Sequence, residues 1–322
     1  MNLPSARMAL IYNPNAGKLQ AKAVAANVAA FWQQAGWEVS LKPTAHAGHA
    51  VELARAAADS GCGLVLVMGG DGTISDVANG LVHSETVLAM LPTGTANSFA
   101  KELGIVAGGP TVAQLLDIST ILMNGVVQRM DTIQCDDGRH WLLWAGIGVD
   151  GDIVNRVEPR SPFFKRLGLP GYVVEASPHL LNFNGVRARV TVDDHAFEGD
   201  YVLINASNCR LFVGGKLHLN RDGVLDDGLI EVWLFQGSGL LTLAQHALFI
   251  ALEQHRGADG VQYLRGHSVT VETFPPSPYQ LDGEPVGVTP IACHVERLAL
   301  RVLVPNTETA RRLFSLPGAP LF

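Results

Sequence analysis

Charge is scarce in this chain. Only 16% of its 322 residues are Asp, Glu, Lys or Arg, the formal net charge is −7, and no run of Lys and Arg exceeds a pair. That excludes a nucleic-acid binder relying on an electrostatic footprint, while a weak local contact with an anionic membrane stays open. Cysteine is sparse too: Cys62, Cys135, Cys209 and Cys293 lie far apart and form no CxxC pair, which reads as free thiols of a cytosolic protein. The eleven histidines show no HxxxH or HExxH spacing, which argues against a zinc site. No apolar stretch reaches the ~18 residues that a membrane span requires. The N-terminal MNLPSARMALIYNP has one arginine and an apolar run too short for a signal peptide. Repeats, low-complexity stretches and an obvious flexible linker are also missing. What remains is a chain that is 48% hydrophobic, able to bury a large core and long enough for about two domains.

Two rhythms divide it. From 8 to 118, short apolar runs (8–12, 37–43, 64–68 and 87–91) alternate with segments of helical pattern at 18–35, 46–60, 74–82, 96–103 and 110–118. Such alternation predicts a parallel sheet covered on both faces. From about 126 the runs VVQRMDTIQC, HWLLWAGIGV, VRARVTV, FEGDYVLINAS, LIEVWLF, SVTVETF and LALRVLV read as strands. Helical patterns there are few, 163–181 and 238–255, and a mainly antiparallel packing, a sandwich, is expected. The fold class is thus an α/β N-terminal domain (1–125) with a β-rich C-terminal domain (126–304).

The strand Leu64–Met68 runs into Gly69-Gly70-Asp71-Gly72-Thr73. Ligands of open parallel sheets bind beyond the carboxyl ends of the strands, where glycines let the backbone approach a phosphate and free N–H groups bind an anion. The carboxylate of Asp71 would repel phosphate directly but suits a bridging magnesium ion. The alternative is an ordinary strand–helix turn in which Asp71 caps the helix. One strand later, LPTGTANSFAKELG repeats the design, with Thr93, Gly94, Thr95 and Asn97 beside the next helix start. YNPNAGK after the first strand adds Asn13 and Lys18, without being a Walker A loop, since Leu19 stands where Ser or Thr belongs. Lys18 also reads as a solvated lysine at a helix start.

The ordered set NPxxGK, GGDGT, PxGTxN, GxGxD, DDGL and LDGE resembles the diacylglycerol-kinase catalytic family, most of all its soluble bacterial YegS-type lipid kinases, and more distantly sphingosine and ceramide kinases. The motifs span nearly the whole chain: Asn13–Lys18, Gly69–Thr73, Pro92–Asn97, Gly146–Asp150, Asp226–Leu229 and Leu281–Glu284. GGDGT alone also occurs in NAD kinases. The resemblance implies an ATP-dependent kinase whose first domain is NAD-kinase/phosphofructokinase-like, with 305–322 returning to it. By position, the nucleotide contacts would be Asn13, Thr44, Gly70–Thr73 and Thr95. The chain departs from the pattern at Ser98, which removes a negative charge from the metal network that Asp131 would join, and at Ser75-Asp76, where relatives carry Asn-Glu.

In QLDGEP, Asp282 and Glu284 flank a turn and could point to one cleft. A hydroxyl attacking the γ-phosphate must lose its proton to such a carboxylate. The family assigns that role to this acidic pair, with Glu284 the first choice and Asp282 the second. The alternative is an ordinary Asp-Gly turn followed by an exposed glutamate. RDGVLDDGLIEV reads either as a hairpin turn or as a magnesium site built from Asp227 and the carbonyls of Val224 and Leu229; both can hold, and the resemblance implies a structural magnesium ion. Gly146–Gly151 formally satisfies GxGxxG, but the antiparallel rhythm around it opposes a dinucleotide fold. SPFFKRLGLPGYVVEASPHLL (161–181) reads as a segment packed on the sheet or one grazing a membrane.

The reading is therefore a cytosolic lipid kinase using ATP and Mg2+ on a lipid hydroxyl such as that of diacylglycerol, with transient peripheral membrane contact and no nucleic-acid partner. Oligomeric state is left open, a homodimer among the options. The rival readings are a kinase of a soluble alcohol such as NAD, and a non-catalytic nucleotide or lipid sensor.

Overall fold

A computed structural model describes residues 5–14, 21–105, 111–157 and 183–321. Contacts divide the chain into two compact units. The first comprises residues up to Thr132, Val224–Asp227 and Arg297 onward; the second comprises Ile133–Gly223 and Gly228–Glu296.

The first unit opens with β1 (Arg7–Tyr12), α1 (Ala21–Gln34), β2 (Glu38–Pro43), α2 (His49–Asp59), β3 (Leu64–Gly69), α3 (Asp71–Leu81) and β4 (Val87–Pro92), followed by α4 (Ser98–Glu102), α5 (Val112–Met123) and β5 (Val126–Cys135). The strands lie parallel in the order β2-β1-β3-β4. Every residue of β3 and β4 is buried, as continuous apolar runs covered on both faces require. On α1, Val24, Val28 and Trp32 recur every fourth residue and are buried, which places one helical stripe on the core.

The second unit carries β6 (His140–Trp141), β7 (Trp144–Gly148), α6 (Val149–Val157), β8 (Val186–Val192), β9 (His195–Ser207), β10 (Leu211–Phe212), β11 (Leu217–His218), β12 (Ile230–Gln236), α7 (Gly239–Ala251), β13 (Val261–Gly266), β14 (Ser268–Thr273), β15 (Pro278–Leu281) and β16 (Glu284–Val288). Strand β17 (Ile291–Val304), α8 (Glu308–Arg311) and β18 (Ala319–Pro320) close the chain. Pairing in this unit is antiparallel: β16-β15-β7-β9-β8-β14 run side by side, and β12 lies between β9 and β13. The first half of β9 pairs with β8, whereas its second half sits between β7 and β12. Trp141, Tyr201, Ile204, Val232 and Val271 are buried in one core cluster. All four cysteines are free thiols, but Cys135 and Cys293, distant in sequence, meet with Sγ atoms 2.9 Å apart.

Three expectations meet a different outcome or none. HWLLWAGIGV is not one strand: it breaks after Trp141, and a helix the sequence pattern does not announce, α6, begins at Val149. The helix after GGDGT starts at Asp71 rather than near Ile74, with Gly70 as its N-cap. The expected helix at 163–181 and the membrane-grazing reading of 161–181 lie outside the described residues.

The C-terminal segment contributes to the first unit. Val302 of β17 pairs in parallel with Leu88 of β4, and Ala319 and Pro320 pair with Val127 and Val126. The Asp226 carboxylate accepts the N–H groups of Ser315 (2.6 Å) and Leu316 (2.9 Å), and Leu225 N–H donates to the Leu313 carbonyl.

Candidate active site

Parallel register aligns the carboxyl ends of four strands. Tyr12 stands opposite Pro43 and Met68, and Gly69 stands opposite Pro92. The residues that follow therefore gather on one edge of the sheet: Asn13, Thr44, Gly69–Thr73 and Thr93–Asn97. Thr44 N–H donates to the Tyr12 carbonyl and Thr93 N–H to the Gly69 carbonyl, each at 2.9 Å. Lys18 lies outside the described residues.

The two glycine loops touch through their main chains. A Cβ on Gly94 would stand 2.5 Å from the Gly70 Cα, and a Cβ on Gly70 would stand 3.2 Å from the Gly94 Cα. No side chain can enter between them, so both positions demand glycine for close approach rather than for backbone freedom. Asn97, in the left-handed region at φ 52°, closes the second loop: its Oδ1 accepts Gly94 N–H and its Nδ2 donates to the Gly94 carbonyl, both at 2.9 Å.

Asp71 does not cap its own helix. Its Oδ1 accepts Phe99 N–H at 3.1 Å, so it ties the first glycine loop to the opening turn of α4, one strand away. Burial raises its pKa, against the lowering effect of the Ser98 and Phe99 amides, Lys101 and the Asn97 amide. A half-buried carboxylate whose ionisation is only partly compensated suits a hard cation.

In the second unit, Asp282 and Gly283 form the two-residue turn between β15 and β16, with φ 52° and 88° and Leu281 paired to Glu284. Two positive-φ residues here make the Asp-Gly hairpin turn that matches strand twist. The turn sends the two acids different ways. Asp282 is buried and accepts main-chain N–H groups from Leu142 (2.9 Å), Leu143 (2.8 Å) and Trp144 (3.3 Å). Glu284 is exposed at the start of β16. The inward acid replaces the ladder partners missing where the chain breaks between β6 and β7.

A second network backs this hairpin. Asp150 Oδ2 accepts from Gln280 Nε2 (2.8 Å) and Trp144 Nε1 (3.1 Å), and Gln280 Oε1 accepts Gly283 N–H (2.6 Å). Asn155 Nδ2 donates to the Gly151 and Tyr279 carbonyls. Any Cβ on Gly146 would strike the Asp150 carboxylate, and one on Gly151 the Pro278 carbonyl, so the glycines of GxGxDG let α6 press onto β7 and β15. No dinucleotide site is built from them. Asp150, Gln280 and Asn155 were not among the sequence-derived candidates. Their signal was the GxGxD motif itself, whose aspartate hydrogen-bonds the residue two before Asp282.

Burial raises the pKa of Asp150 above its ordinary value, against the hydrogen bonds from Gln280 and Trp144. The native state then holds a proton at pH values where the unfolded chain, near the usual ~3.9, has lost it. Stability contributed by this group falls as pH rises from about 4 through the raised native value. Asp150→Asn is expected to flatten that part of the fall, measured by urea unfolding across pH 4 to 7; identical slopes in both proteins would contradict it.

Of the expected metal set, Asp131 is fully buried; its Oδ1 accepts Leu298 N–H and its own N–H donates to the Leu225 carbonyl, each at 2.7 Å. That bond brings Asp131 to the turn bearing Val224 and Asp227. Leu229 follows just beyond the division between the units. The donors are all oxygen, as Mg2+ requires. Elsewhere, His46, His49 and Glu52 place ligand atoms within 4.8 Å of one another at the start of α2, a grouping the sequence argument against metal-binding histidines did not foresee. His49 Nδ1, however, accepts Ala45 N–H, which leaves the proton on Nε2 and no spare lone pair on that ring.

Comparison with known proteins agrees with this architecture. Residues 7–135 match the diacylglycerol kinase catalytic domain, and residues 145–304 match the YegS C-terminal NAD kinase beta sandwich-like domain. A Bacillus subtilis diacylglycerol kinase is 29% identical over 286 residues, covering 88% of this chain and 91% of its own length. A Stenotrophomonas maltophilia protein named "Probable lipid kinase YegS-like" is 30% identical over 270 residues, covering 79% of this chain and 83% of its own. A crystal structure of a diacylglycerol kinase from Bacillus anthracis shares the fold at TM-score 0.68 and 20% identity, covering 94% of this chain and 97% of that one. With both domains matched in order along one chain, the protein belongs to the diacylglycerol kinase catalytic family, in its YegS-type lipid kinase branch.

Proposed function

We propose that this chain transfers the γ-phosphate of ATP to the hydroxyl of a lipid such as diacylglycerol. One observation carries the reading: two glycine loops, Gly69–Thr73 and Thr93–Asn97, meet backbone to backbone at the carboxyl edge of a parallel sheet. Main-chain amides at the opening turn of α3, Asp71–Thr73, suit a polyphosphate, and Asn13, Thr44, Thr73 and Thr95 supply neutral donors around it. Asp71 anchors the loops to each other, and its remaining lone pairs fit the Mg2+ that accompanies ATP. That ion would neutralise charge on the β- and γ-phosphates.

Glu284 is the candidate general base, because it is exposed and stands on the rigid turn. Asp282 is a positioning residue whose lone pairs are committed to the 142–144 main chain. The Asp131 and Val224–Asp227 oxygens, all in the first unit, would hold a structural Mg2+. A lipid acceptor further implies transient contact with a membrane.

The test is incubation of the full chain with labelled ATP, Mg2+ and a panel of lipids in mixed micelles, with NAD as a soluble acceptor. Labelled phospholipid from a diacylglycerol is expected. Labelling of NAD alone, or turnover of no lipid by folded protein, would overturn the proposal.

A further inference from the structure

Surface helices ordinarily present a charged face to water. Helix α7 does not: between Gln236 and Glu253 there is no Asp, Glu, Lys or Arg. Leu241, Leu248 and Leu252 follow one another at spacings of seven and four, which puts them on one side. They are 86%, 56% and 55% exposed, with Leu240 at the margin of the stripe. His246 and Ile250 face inward and are buried, and His246 Nε2 donates to the Gln236 carbonyl. The helix is thus fixed to its unit by one side and holds leucine out on the other.

A polar rim of both signs adjoins the C-terminal end of this stripe. Arg221 pairs with Glu253, Arg256 pairs with Asp222 at 3.1 Å, and Arg256 also lies over the Tyr263 ring. His218 Nδ1 meets Glu253 Oε1 at 3.2 Å, and β11, which carries His218, packs on α7. The rim holds two guanidinium groups and two carboxylates, side by side.

We propose that the outward face of α7 is a membrane-docking surface for zwitterionic bilayers, with the leucines entering the acyl boundary and the Arg221, Asp222, Glu253 and Arg256 rim lying among the headgroups. Paired charges of both signs complement a headgroup layer that itself carries both. A net charge of −7 opposes strong attraction to anionic lipid, so binding rests on apolar insertion. A second copy is a poorer occupant: four leucines offer roughly half of the ~800 Å² per partner of a stable interface. The biological use of this surface depends on the lipid-kinase reading, since the acceptor alcohol then resides in the bilayer; the binding itself does not.

The experiment is co-sedimentation of the full chain with phosphatidylcholine vesicles, repeated with a phosphatidylglycerol fraction and with added salt. The wild type is expected to sediment with both, with little salt dependence. The double variant Leu241→Gln/Leu248→Gln is expected to bind about tenfold more weakly or worse. The Leu252→Gln single variant guards against misfolding of the double one and should weaken binding in the same direction. Turnover of a short-chain diacylglycerol dispersed as monomers should be unchanged in the variants. Wild type left in the supernatant, or variants that sediment as it does, would overturn the proposal. So would light scattering that shows a dimer broken by the double variant while vesicle binding persists. If the wild type phosphorylates no diacylglycerol at all, the kinase reading fails, and sedimentation still decides the docking surface.

Discussion

Glu284→Gln is expected to lower kcat by about 10²- to 10⁴-fold, the range that a positioned general base contributes, with no change in the urea midpoint. The residue is exposed at the first position of β16, so its removal opens no cavity in the core. Asp282→Ala should show the opposite balance. It removes the acceptor of three main-chain N–H groups at Leu142, Leu143 and Trp144. Buried donors left without partners cost about 1–3 kcal/mol each before water and relaxation recover part, so a loss of about 2–4 kcal/mol is expected. Single-turnover kinetics with saturating lipid and urea unfolding on the same preparations separate the two effects. A Glu284→Gln protein that keeps wild-type kcat would remove that residue from the chemistry. An Asp282→Ala protein with wild-type stability would contradict its positioning role.

Gly94→Ala should be nearly as damaging at the other end of the reaction. The new methyl group would sit 2.5 Å from the Gly70 Cα and 2.8 Å from Asn97 Oδ1, so one loop must move away from the other. A shift of that size in a phosphate-positioning loop is expected to cost about 100-fold in kcat/KM for ATP, with a stability loss of about 1–3 kcal/mol from overpacking. Titration calorimetry with ATP and Mg2+, beside steady-state kinetics, reads the loss directly. Unchanged ATP affinity in a folded Gly94→Ala protein would show that these loops do not hold the nucleotide.

Much of the first unit was legible because its signals are local. Buried runs such as Leu64–Met68 and Val87–Leu91 need no partner to be recognised as strands covered on both faces, and glycine after each run marks the turn. The Asp282-Gly283 hairpin was equally plain. The less readable features depend on distant contacts. Helix α6 hides in a glycine- and valine-rich run, and it stands because Gly146 and Gly151 admit the Asp150 carboxylate and the Pro278 carbonyl. Asp71 looks from its sequence neighbours like a cap for its own helix; only the adjacent strand order shows it reaching α4. Asp282 and Glu284 look like a matched pair until the left-handed turn sends one inward. The hydrogen bonds of Asp226 to Ser315 and Leu316 span 89 and 90 positions, beyond any spacing rule.

The pairing of β4 with β17 has a consequence for biosynthesis. Strand β4 emerges from the ribosome with all six residues apolar enough to be buried in the finished protein, yet its β17 partner, Val302, has not been translated at that moment. At ordinary translation speeds of about 5–20 residues per second the delay from Pro92 to Val302 is roughly 10–40 s. For that interval the nascent chain displays an unpaired hydrophobic strand edge, a template for intermolecular pairing, and ribosome-associated chaperones are the natural shield for it.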